Sequence, residues 1–473
     1  MNRSISREEL IAEYAKSLKN GNASLFVGSG LSRKANYSGW KDILRNCAKE
    51  IGLDVEKEKD LITLAQYYIR EKQRTKITET IKDFFSDNKG TVQEIHQIIV
   101  SLPLSDIWTT NYDTLLERAY KNEGITTTII TDDESYRNIV RTAKIKIHKI
   151  HGSVENAKEC IIARQDYESF PQTHDIVLAE LKGEMCSNSF LFLGYSFSDT
   201  DIQHILTKIR LEYKEGNPQR HFCIVEKVKR EKDELKEDYE YRENLQEHYV
   251  ADMQCYGINV LLVDSYDEIE RILLDIRDRV YGRNILISGS YEKNDESFFI
   301  SSLTVALMSS LIKKEYKILT GYGKNLGADI IDGVYEGLTK SKNKVKDFNK
   351  VIEVFPFPFK QRKTMERKRL YTEIRKRMVS LTTILIIIAG KEKNKNNQGT
   401  YEEYDLSKKS NHLIIPIPAT GGSAKQIWEE LILNDGYKNN ILFQSLGTET
   451  DTDKIIEIII RLIEQNRGDN YGA

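Results

Sequence analysis

The chain has 473 residues, of which 40% are hydrophobic and 30% are charged, with only seven prolines. A chain of this length is expected to form two or three domains with apolar cores, and the composition excludes collagen-like, disordered and disulfide-scaffold proteins. Seventy lysines and arginines against 72 aspartates and glutamates give a formal net charge of −2. General binding to nucleic-acid phosphates uses an excess of positive charge, so we expect no nucleic-acid partner.

Neither a membrane span nor a cysteine framework is indicated. The longest apolar run, Ile384–Ala389, is far shorter than the roughly 20 residues that cross a bilayer. The amino-terminal residues lead directly into a charged helical pattern. The five cysteines contain no CxxC pair, which argues against a disulfide framework and a four-cysteine zinc module. We therefore expect a cytoplasmic protein without a metal and without a membrane partner.

Short β-rich runs followed by a Gly/Ser turn occur twice, at Ala23–Ser32 and at Asn284–Ser290. Each predicts the first strand of an α/β layer that leads into a helix. Between the two runs, further apolar segments alternate with helical patterns such as Trp40–Ile51, which indicates a mostly parallel sheet with helices on both faces. The predicted strands between them are Ser105–Thr110, Lys144–His151, Phe190–Gly194, Phe222–Val225 and Asn259–Val263.

A connector divides the chain into two α/β domains. The helical pattern Asp267–Val280 ends at Tyr281-Gly-Arg-Asn, and we place the boundary there, giving domains 1–281 and 282–473. The second domain repeats the pattern of the first on a smaller scale, so we predict two Rossmann-type parallel sheets. Its predicted strands are Ile285–Ile287, Lys317–Leu319, Val351–Val354, Ile384–Ile388 and Leu413–Ile417.

Polar or glycine-rich motifs follow four predicted strands of the first domain. Ligands of open α/β sheets bind outside the carboxyl ends of the strands, so the four motifs can meet at one crevice. Glycines after the first strand would let backbone amides approach a pyrophosphate at a helix start. In chain order the motif residues are Gly28, Ser29, Gly30 and Ser32; Asn111 and Asp113; His151; and Gly194, Ser196 and Asp199.

Each motif taken alone also has a structural interpretation. A tight strand-to-helix turn could use the glycines without any ligand, and a strand-end Asn111 is often a turn former. Asp199 could simply cap the helix that follows it. A lone His151 could belong to the surface or to a satisfied core. The interpretation as a site therefore depends on the four motifs occurring together.

In their order, the four motifs resemble the sirtuin family over roughly residues 10–280. This resemblance implies an NAD+-binding fold in which the first turn holds phosphate and the late Gly-x-Ser turn adds cofactor contacts. It also implies that Asn111, Asp113 and His151 surround the nicotinamide ribose, with Asn111 and His151 catalytic.

Those residue types suit cleavage of the bond between ribose and nicotinamide. The amide of Asn111 both donates and accepts, so it can position a ribose hydroxyl or an attacking water. An imidazole such as His151 can take a proton near neutral pH. Asp113, as an ordinary carboxylate, is a weak base, and we expect it to orient or to bind the ribose.

One departure from the family concerns the acceptor of the reaction. Deacylating sirtuins carry a four-cysteine zinc module after the catalytic histidine, whereas the same interval here holds only Cys160 and Cys186. The departure favours water over an acyl-lysine peptide as the acceptor. Two alternatives stay open at this point: a protein deacylase, and a nucleotide-sensing scaffold without enzymatic activity.

The second domain carries two Gly-rich turns, after predicted strands that end near Ile287 and Leu319, and this spacing resembles SLOG domains. Backbone amides in such turns could bind phosphates. Arg375 suits bidentate phosphate binding and Lys391 supplies a second cation, while Glu403 could instead cap its helix. The resemblance implies activator contacts at Gly289, Ser290, Leu326, Phe357, Arg375, Lys391, Gly399 and Glu403.

A sirtuin-like domain followed by a SLOG-like domain resembles the effector family of the Thoeris antiphage defence system. The resemblance implies that the second domain binds a cyclic ADP-ribose isomer made by a TIR-domain partner protein. Binding would switch on NAD+ hydrolysis in the first domain, and loss of NAD+ would stop the infected cell. It also implies a homotetramer or filament.

Overall fold

The chain folds as two compact units, Met1–Val280 and Tyr281–Ala473. The structure is a computed structural model, and it describes residues 4–35, 37, 39–85, 90–140, 142–197, 200–212, 219–293, 297–340, 345–358, 364–392, 399–433 and 435–471. Within these ranges, no helix is long and apolar enough to cross a membrane.

In the described residues of the first unit, seven strands form one sheet, all parallel to their neighbours, in the order β3-β4-β2-β1-β5-β6-β7. Its strands are β1 (Ala23–Val27), β2 (Asp106–Thr109), β3 (Thr127–Ile130), β4 (Ile145–Lys149), β5 (Ser189–Leu193), β6 (His221–Glu226) and β7 (Ile258–Val263). Every residue of β1 and β5 is buried, as is typical of central strands covered on both faces.

Helices and short 3₁₀ turns connect these strands. The α-helices are α1 (Arg7–Asn20), α2 (Trp40–Glu50), α3 (Leu61–Phe84), α4 (Glu94–Ser101), α5 (Leu115–Asn122), α6 (Arg164–Thr173), α7 (Asp175–Ser187), α8 (Thr200–Glu212), α9 (Lys236–Cys255) and α10 (Glu268–Tyr281). The 3₁₀ turns cover Ser29–Ala35, Asp133–Asn138 and Val154–Glu159. Local signals set the ends of α1: the Ser6 side chain accepts a hydrogen bond from the Glu9 amide, and Gly21 ends the helix with φ +72°.

The strand order places a topological switch point between β1 and β5. The chain builds β2, β3 and β4 on one side of β1 and then returns to add β5 on the other side. Val27, the last residue of β1, pairs with Thr109 of β2 and with Leu193 of β5. Ligand crevices of open parallel sheets lie outside the carboxyl ends of the strands at such a point.

The second unit contains a smaller parallel sheet in the order β10-β9-β8-β11-β12. Its strands are β8 (Asn284–Ser290), β9 (Lys317–Thr320), β10 (Ile352–Val354), β11 (Ile384–Ala389) and β12 (Leu413–Ile417). Its helices are α11 (Ser297–Lys313), α12 (Leu326–Thr339), α13 (Phe348–Val351), α14 (Thr364–Ser380), α15 (Gly399–Lys409), α16 (Gly422–Leu431), α17 (Asp435–Lys438), α18 (Ile441–Ser445) and α19 (Thr452–Tyr471), with 3₁₀ turns at Val345–Asp347 and Pro418–Thr420.

The predicted fold class is confirmed, with two differences in detail. The edge strand β3 was not predicted, because its two threonines and alternating burial give it no continuous apolar run. Val351, predicted to begin a strand, instead ends the short helix α13, and β10 begins one residue later.

Candidate active site

The turns after β1 and β5 are packed backbone to backbone. The Gly28 amide donates to the Leu193 carbonyl over 2.9 Å, and the Gly30 amide donates to the Gly194 carbonyl over 3.0 Å. A Cβ atom added to Gly28 would lie 2.3 Å from the Gly194 oxygen, and Gly194 itself has φ +61°. The first and fourth motifs therefore meet at the switch point, and the glycines permit this close approach.

Asn111, Ser32 and Asp113 form one chain of hydrogen bonds beside these turns. The Asn111 Nδ2 donates to the Gly28 carbonyl and to the Ser32 Oγ, each over 3.1 Å. The Ser32 hydroxyl donates to the Asp113 Oδ2 over 2.8 Å, and the Asp113 Oδ1 accepts from the Leu115 amide over 3.0 Å. Both Ser32 and Asp113 are buried. Among the described residues, the Asn111 Oδ1 is left without a donor, so it can accept a hydrogen bond from a ligand.

His151 lies on the neighbouring strand end. Thr109 pairs with Lys149 across β2 and β4, so Asn111 and His151 each come two residues after a paired position. The His151 ring is 3% exposed and stands edge-on to Tyr167 and Phe170, with ring centroids 5.6 and 5.9 Å away. These two aromatic rings of α6 pack against the imidazole.

A buried lysine joins the two strand ends. Lys149 is 1% exposed, and its ammonium donates to the Glu117 Oε1 over 2.6 Å, to the Tyr112 carbonyl over 3.3 Å and to the Asp113 carbonyl. Sequence analysis assigned no role to Lys149, because a lysine within a strand is ordinarily solvent-exposed.

The remaining predicted residues of the first unit lie on the same turns or outside the described residues. Ser29 and Ser196 are exposed in the turns after β1 and β5. Asp199 lies outside the described residues. The predicted contacts of all these residues with a cofactor stay predictions.

A separate polar cluster lies on β2, β4 and α7. In it, donor atoms of Asp106, His148, Glu180 and Glu184 lie within 4.8 Å of one another, close enough to hold a metal ion. The Lys146 ammonium already lies 2.8 Å from the Glu180 Oε1 and 3.5 Å from the Asp106 Oδ1. Burial, and then the charge of Asp106, raise the pKa of Glu184 to about 7. Our expectation of a protein without a metal stays a prediction.

In the second unit, three predicted residues gather at the carboxyl ends of β8 and β11. Gly289 has φ +141°, and a Cβ atom added to it would lie 1.8 Å from the Ile388 carbonyl oxygen and 3.3 Å from the Leu326 Cδ2. The Ser290 carbonyl accepts from the Gly390 amide over 2.9 Å. Leu326 begins α12 and is buried.

Three more predicted residues of this unit, Phe357, Gly399 and Glu403, surround the guanidinium group of a fourth, Arg375. Arg375 donates from Nη1 to the Glu402 Oε2 over 2.6 Å, and its Nε lies 3.5 Å from the Glu403 Oε1. Its guanidinium carbon lies 4.9 Å from the Phe357 ring centroid, and a Cβ atom added to Gly399 would lie 2.6 Å from its Nη2. Burial raises the pKa of Glu403.

Lys391 is the exception among the predicted activator contacts. Its side chain is exposed, and its backbone carbonyl accepts from the Ser423 hydroxyl. Its charge also helps to lower the pKa of Glu292, after the larger effect of the Lys324 hydrogen bond. No contact between Lys391 and Arg375 occurs in the part of the chain that the structure describes.

Two family models match the chain, one within the first unit and the other over the end of the first unit and most of the second. The SIR2-like domain matches residues 105–247, and the Sir2- and TIR-associating SLOG family matches residues 268–466. Both predicted resemblances are thereby confirmed.

Several curated proteins are similar to the chain. The NAD(+) hydrolase ThsA of Bacillus cereus (strain MSX-D12) is 32% identical, over 97% of this chain and 98% of that protein. The protein of the same name from Enterococcus faecium is 31% identical, over 98% and 100%. Defense-associated sirtuin 2 of Bacillus subtilis is 25% identical over 43% of this chain and 20% of its own length. Because the first two similarities extend along nearly the whole of both chains and include both units, the chain belongs to the ThsA family.

Proposed function

We propose that the chain is an NAD+ glycohydrolase of antiphage defence, which cleaves NAD+ to nicotinamide and ADP-ribose in its first unit. The names of its relatives support the activity and the role in defence. The observation that carries the proposal is the placement of Asn111 and His151 at equivalent positions after two paired strands. A ribose bound at this edge of the sheet would meet both side chains.

The proposed reaction replaces the bond from the ribose anomeric carbon to the nicotinamide nitrogen by a bond to water. The bonding electron pair leaves with nicotinamide, which departs neutral, and positive charge develops on the ribose in the transition state. Interactions made only in that state raise the rate. Because the leaving group needs no proton, the protein's tasks are to hold the ribose and to accept a proton from water.

The contacts of Asn111, His151 and Asp113 suit each of these residues to a different task. The Asn111 Nδ2 is held by Gly28 and Ser32, so its amide is fixed in place with Oδ1 available to a ribose hydroxyl or to the water. His151 takes the proton released by the water and passes it to solvent. Asp113 already accepts hydrogen bonds from Ser32 and Leu115, which fits an orienting role better than that of a base.

Substitution of His151 or Asn111 tests this assignment. We expect His151→Ala and Asn111→Ala each to lower nicotinamide release by about 100-fold or more, since a positioned acid or base contributes roughly 10² to 10⁴ in rate. His248→Ala is the control, because His248 is an exposed histidine of α9 and should retain full turnover. Full turnover by His151→Ala would show that another group takes the proton.

The products of the reaction identify the acceptor. With NAD+ and the activating cyclic isomer, and without any peptide, chromatography should show nicotinamide and ADP-ribose in equal amounts. NAD+ consumption that requires an acetylated peptide, with O-acetyl-ADP-ribose formed, would instead indicate a deacylase. Ligand-dependent assembly without NAD+ loss would indicate a scaffold.

The second unit is proposed to bind the activator, a cyclic ADP-ribose isomer made by a TIR-domain protein. The cluster around Arg375 supports this proposal, because it offers a guanidinium for phosphate, a Phe357 ring for a base and carboxylates for ribose hydroxyls. The match to a Sir2- and TIR-associating family supports a TIR-domain partner. Adding each cyclic isomer to the purified protein should raise nicotinamide release with the active isomer only.

Activation requires that the activator bind the active state of the protein more tightly than the inactive state. To convert a mostly inactive population into a mostly active one, the activator must prefer the active state by about 10⁴, or roughly 5.5 kcal/mol. A homotetramer or filament in the cytoplasm, as proposed, would let several protomers contribute to this preference. Light scattering with and without the activator measures that assembly.

A further inference from the structure

Lys149 is an unusual residue for the interior of a parallel sheet. It ends β4, is 1% exposed, and buries its ammonium group against the loop that carries Asn111. Removing an ammonium group from water costs several kcal/mol unless the protein satisfies it. Here its three donors meet three oxygens, from Glu117, Tyr112 and Asp113, so the buried charge is fully satisfied.

Two of these three oxygens belong to the segment that carries Asn111. The carbonyls of Tyr112 and Asp113 lie beyond Thr109, the last residue of β2 that pairs with β4. The Tyr112 carbonyl also accepts from the Val154 amide over 2.9 Å. The ammonium of Lys149 thus ties the loop after β2 to β4.

The same lysine is joined directly to the turn that carries His151. The Gly152 amide donates to the Lys149 carbonyl over 2.8 Å, and this tight turn contains His151. Lys149 therefore contacts the Asn111 loop through its side chain and the His151 turn through its main chain. These two segments carry the proposed catalytic groups. A shift of about 1 Å in such a group can reduce the rate about 100-fold.

Glu117 has a different role from the two carbonyls. It lies on α5, and burial raises the pKa of its carboxyl group while the charge of Lys149 opposes that effect. Its carboxylate forms an ion pair with the ammonium and balances its charge.

We propose that Lys149 is a positioning residue for NAD+ hydrolysis, whose ammonium holds the Asn111 loop in place beside the His151 turn, while Glu117 compensates its charge. This inference rests on the proposed function of Asn111 and His151. It assigns to Lys149 no contact with the substrate.

The test removes the charges of Lys149 and Glu117 together, so that an effect on turnover can be distinguished from an effect on stability. Lys149→Met alone leaves the Glu117 carboxylate buried and unpaired and should lower the melting temperature. In the double variant Lys149→Met/Glu117→Met no charge is left unpaired, and well-packed apolar replacements of buried ion pairs are often neutral in stability. We expect the double variant to melt near the wild type, to show a kcat lower by about 100-fold, and to change KM much less.

Lys146→Met is the matched control. Lys146 lies on the same strand and pairs with Glu180 and Asp106, without a described contact to the loop after β2. Its substitution should leave kcat near that of the wild type. A double variant at Lys149 and Glu117 that folds and has the wild-type kcat would overturn the proposal.

A second variant keeps the proposal testable if the double variant does not fold. Glu117→Gln preserves the two carbonyl anchors of Lys149 and removes only the counter-charge, so kcat should remain near the wild type even if the melting temperature falls. A 100-fold loss of kcat in folded Glu117→Gln would refute the division of roles between carbonyls and carboxylate. Full turnover in Asn111→Ala or His151→Ala would instead refute the site itself, independently of Lys149.

Discussion

Gly194→Ala is the substitution for which the structure gives the clearest expected magnitude. Gly194 has φ +61°, and an added Cβ atom would lie 2.6 Å from the Leu31 amide nitrogen and 2.9 Å from the Gly30 Cα. The left-handed backbone costs an alanine about 1 to 2 kcal/mol. Because the contacted atoms are backbone atoms that cannot rotate away, overpacking adds roughly 1 to 3 kcal/mol. We expect a total loss of about 2 to 5 kcal/mol in the free energy of unfolding.

Gly21→Ala separates the two contributions. Gly21 has φ +72°, with nothing within 4 Å of an added Cβ atom, so it should show only the backbone cost of about 1 to 2 kcal/mol. Urea unfolding of both variants measures the difference. Gly194→Ala should also lower kcat/KM, because the displaced turn carries Ser32, which bonds both Asn111 and Asp113. Equal losses of stability in the two variants, with unchanged turnover, would refute the close packing of the two turns.

Two further predictions concern a buried histidine and the guanidinium cluster of the second unit. Burial lowers the pKa of His221 to about 4, below the unfolded value of about 6.5. As the pH falls, His221 therefore takes up a proton in the unfolded chain before it does so in the folded chain. Between about pH 6.5 and 4 this difference should lower the free energy of unfolding by about 3 kcal/mol. His221→Asn, which can still accept the Phe190 amide hydrogen bond, should lose that part of the acid dependence in urea unfolding; an unchanged slope would contradict the assignment. Arg375→Ala should blunt the proposed activation by a cyclic ADP-ribose isomer while leaving the binding of NAD+ intact, and unaltered activator sensitivity of nicotinamide release would contradict the proposed pocket.

Much of the candidate site could be predicted because parallel strands bring their carboxyl ends to one edge. Ser32 and Asn111 are far apart in the chain, yet each follows a strand and the two are hydrogen-bonded. The pattern of buried strands and polar turns was sufficient to group them. The pattern could not predict the individual hydrogen bonds, because these depend on side-chain rotamers and on the conformation of each turn.

Other features had no signal in the sequence. The burial of Lys149 depends on Glu117 of α5, and nothing in a single strand indicates that a carboxylate from an earlier helix will cover it. Glu403, which the sequence also allowed as a helix cap, is instead an ion-pair partner of Arg375. In both cases the tertiary contact, and not the local pattern, decides the role of the charge.

The central position of β1 has a consequence for how the protein is made on the ribosome. β1 is translated first among the strands, but one of its two partners, β5, begins only at Ser189. Until that segment emerges, a nascent chain would display one unpaired side of a strand whose residues are all buried in the folded protein, and such edges readily recruit other chains. Fragments that end before Ser189 should therefore aggregate during synthesis, whereas fragments that extend through Leu193 can complete the pairing of β1.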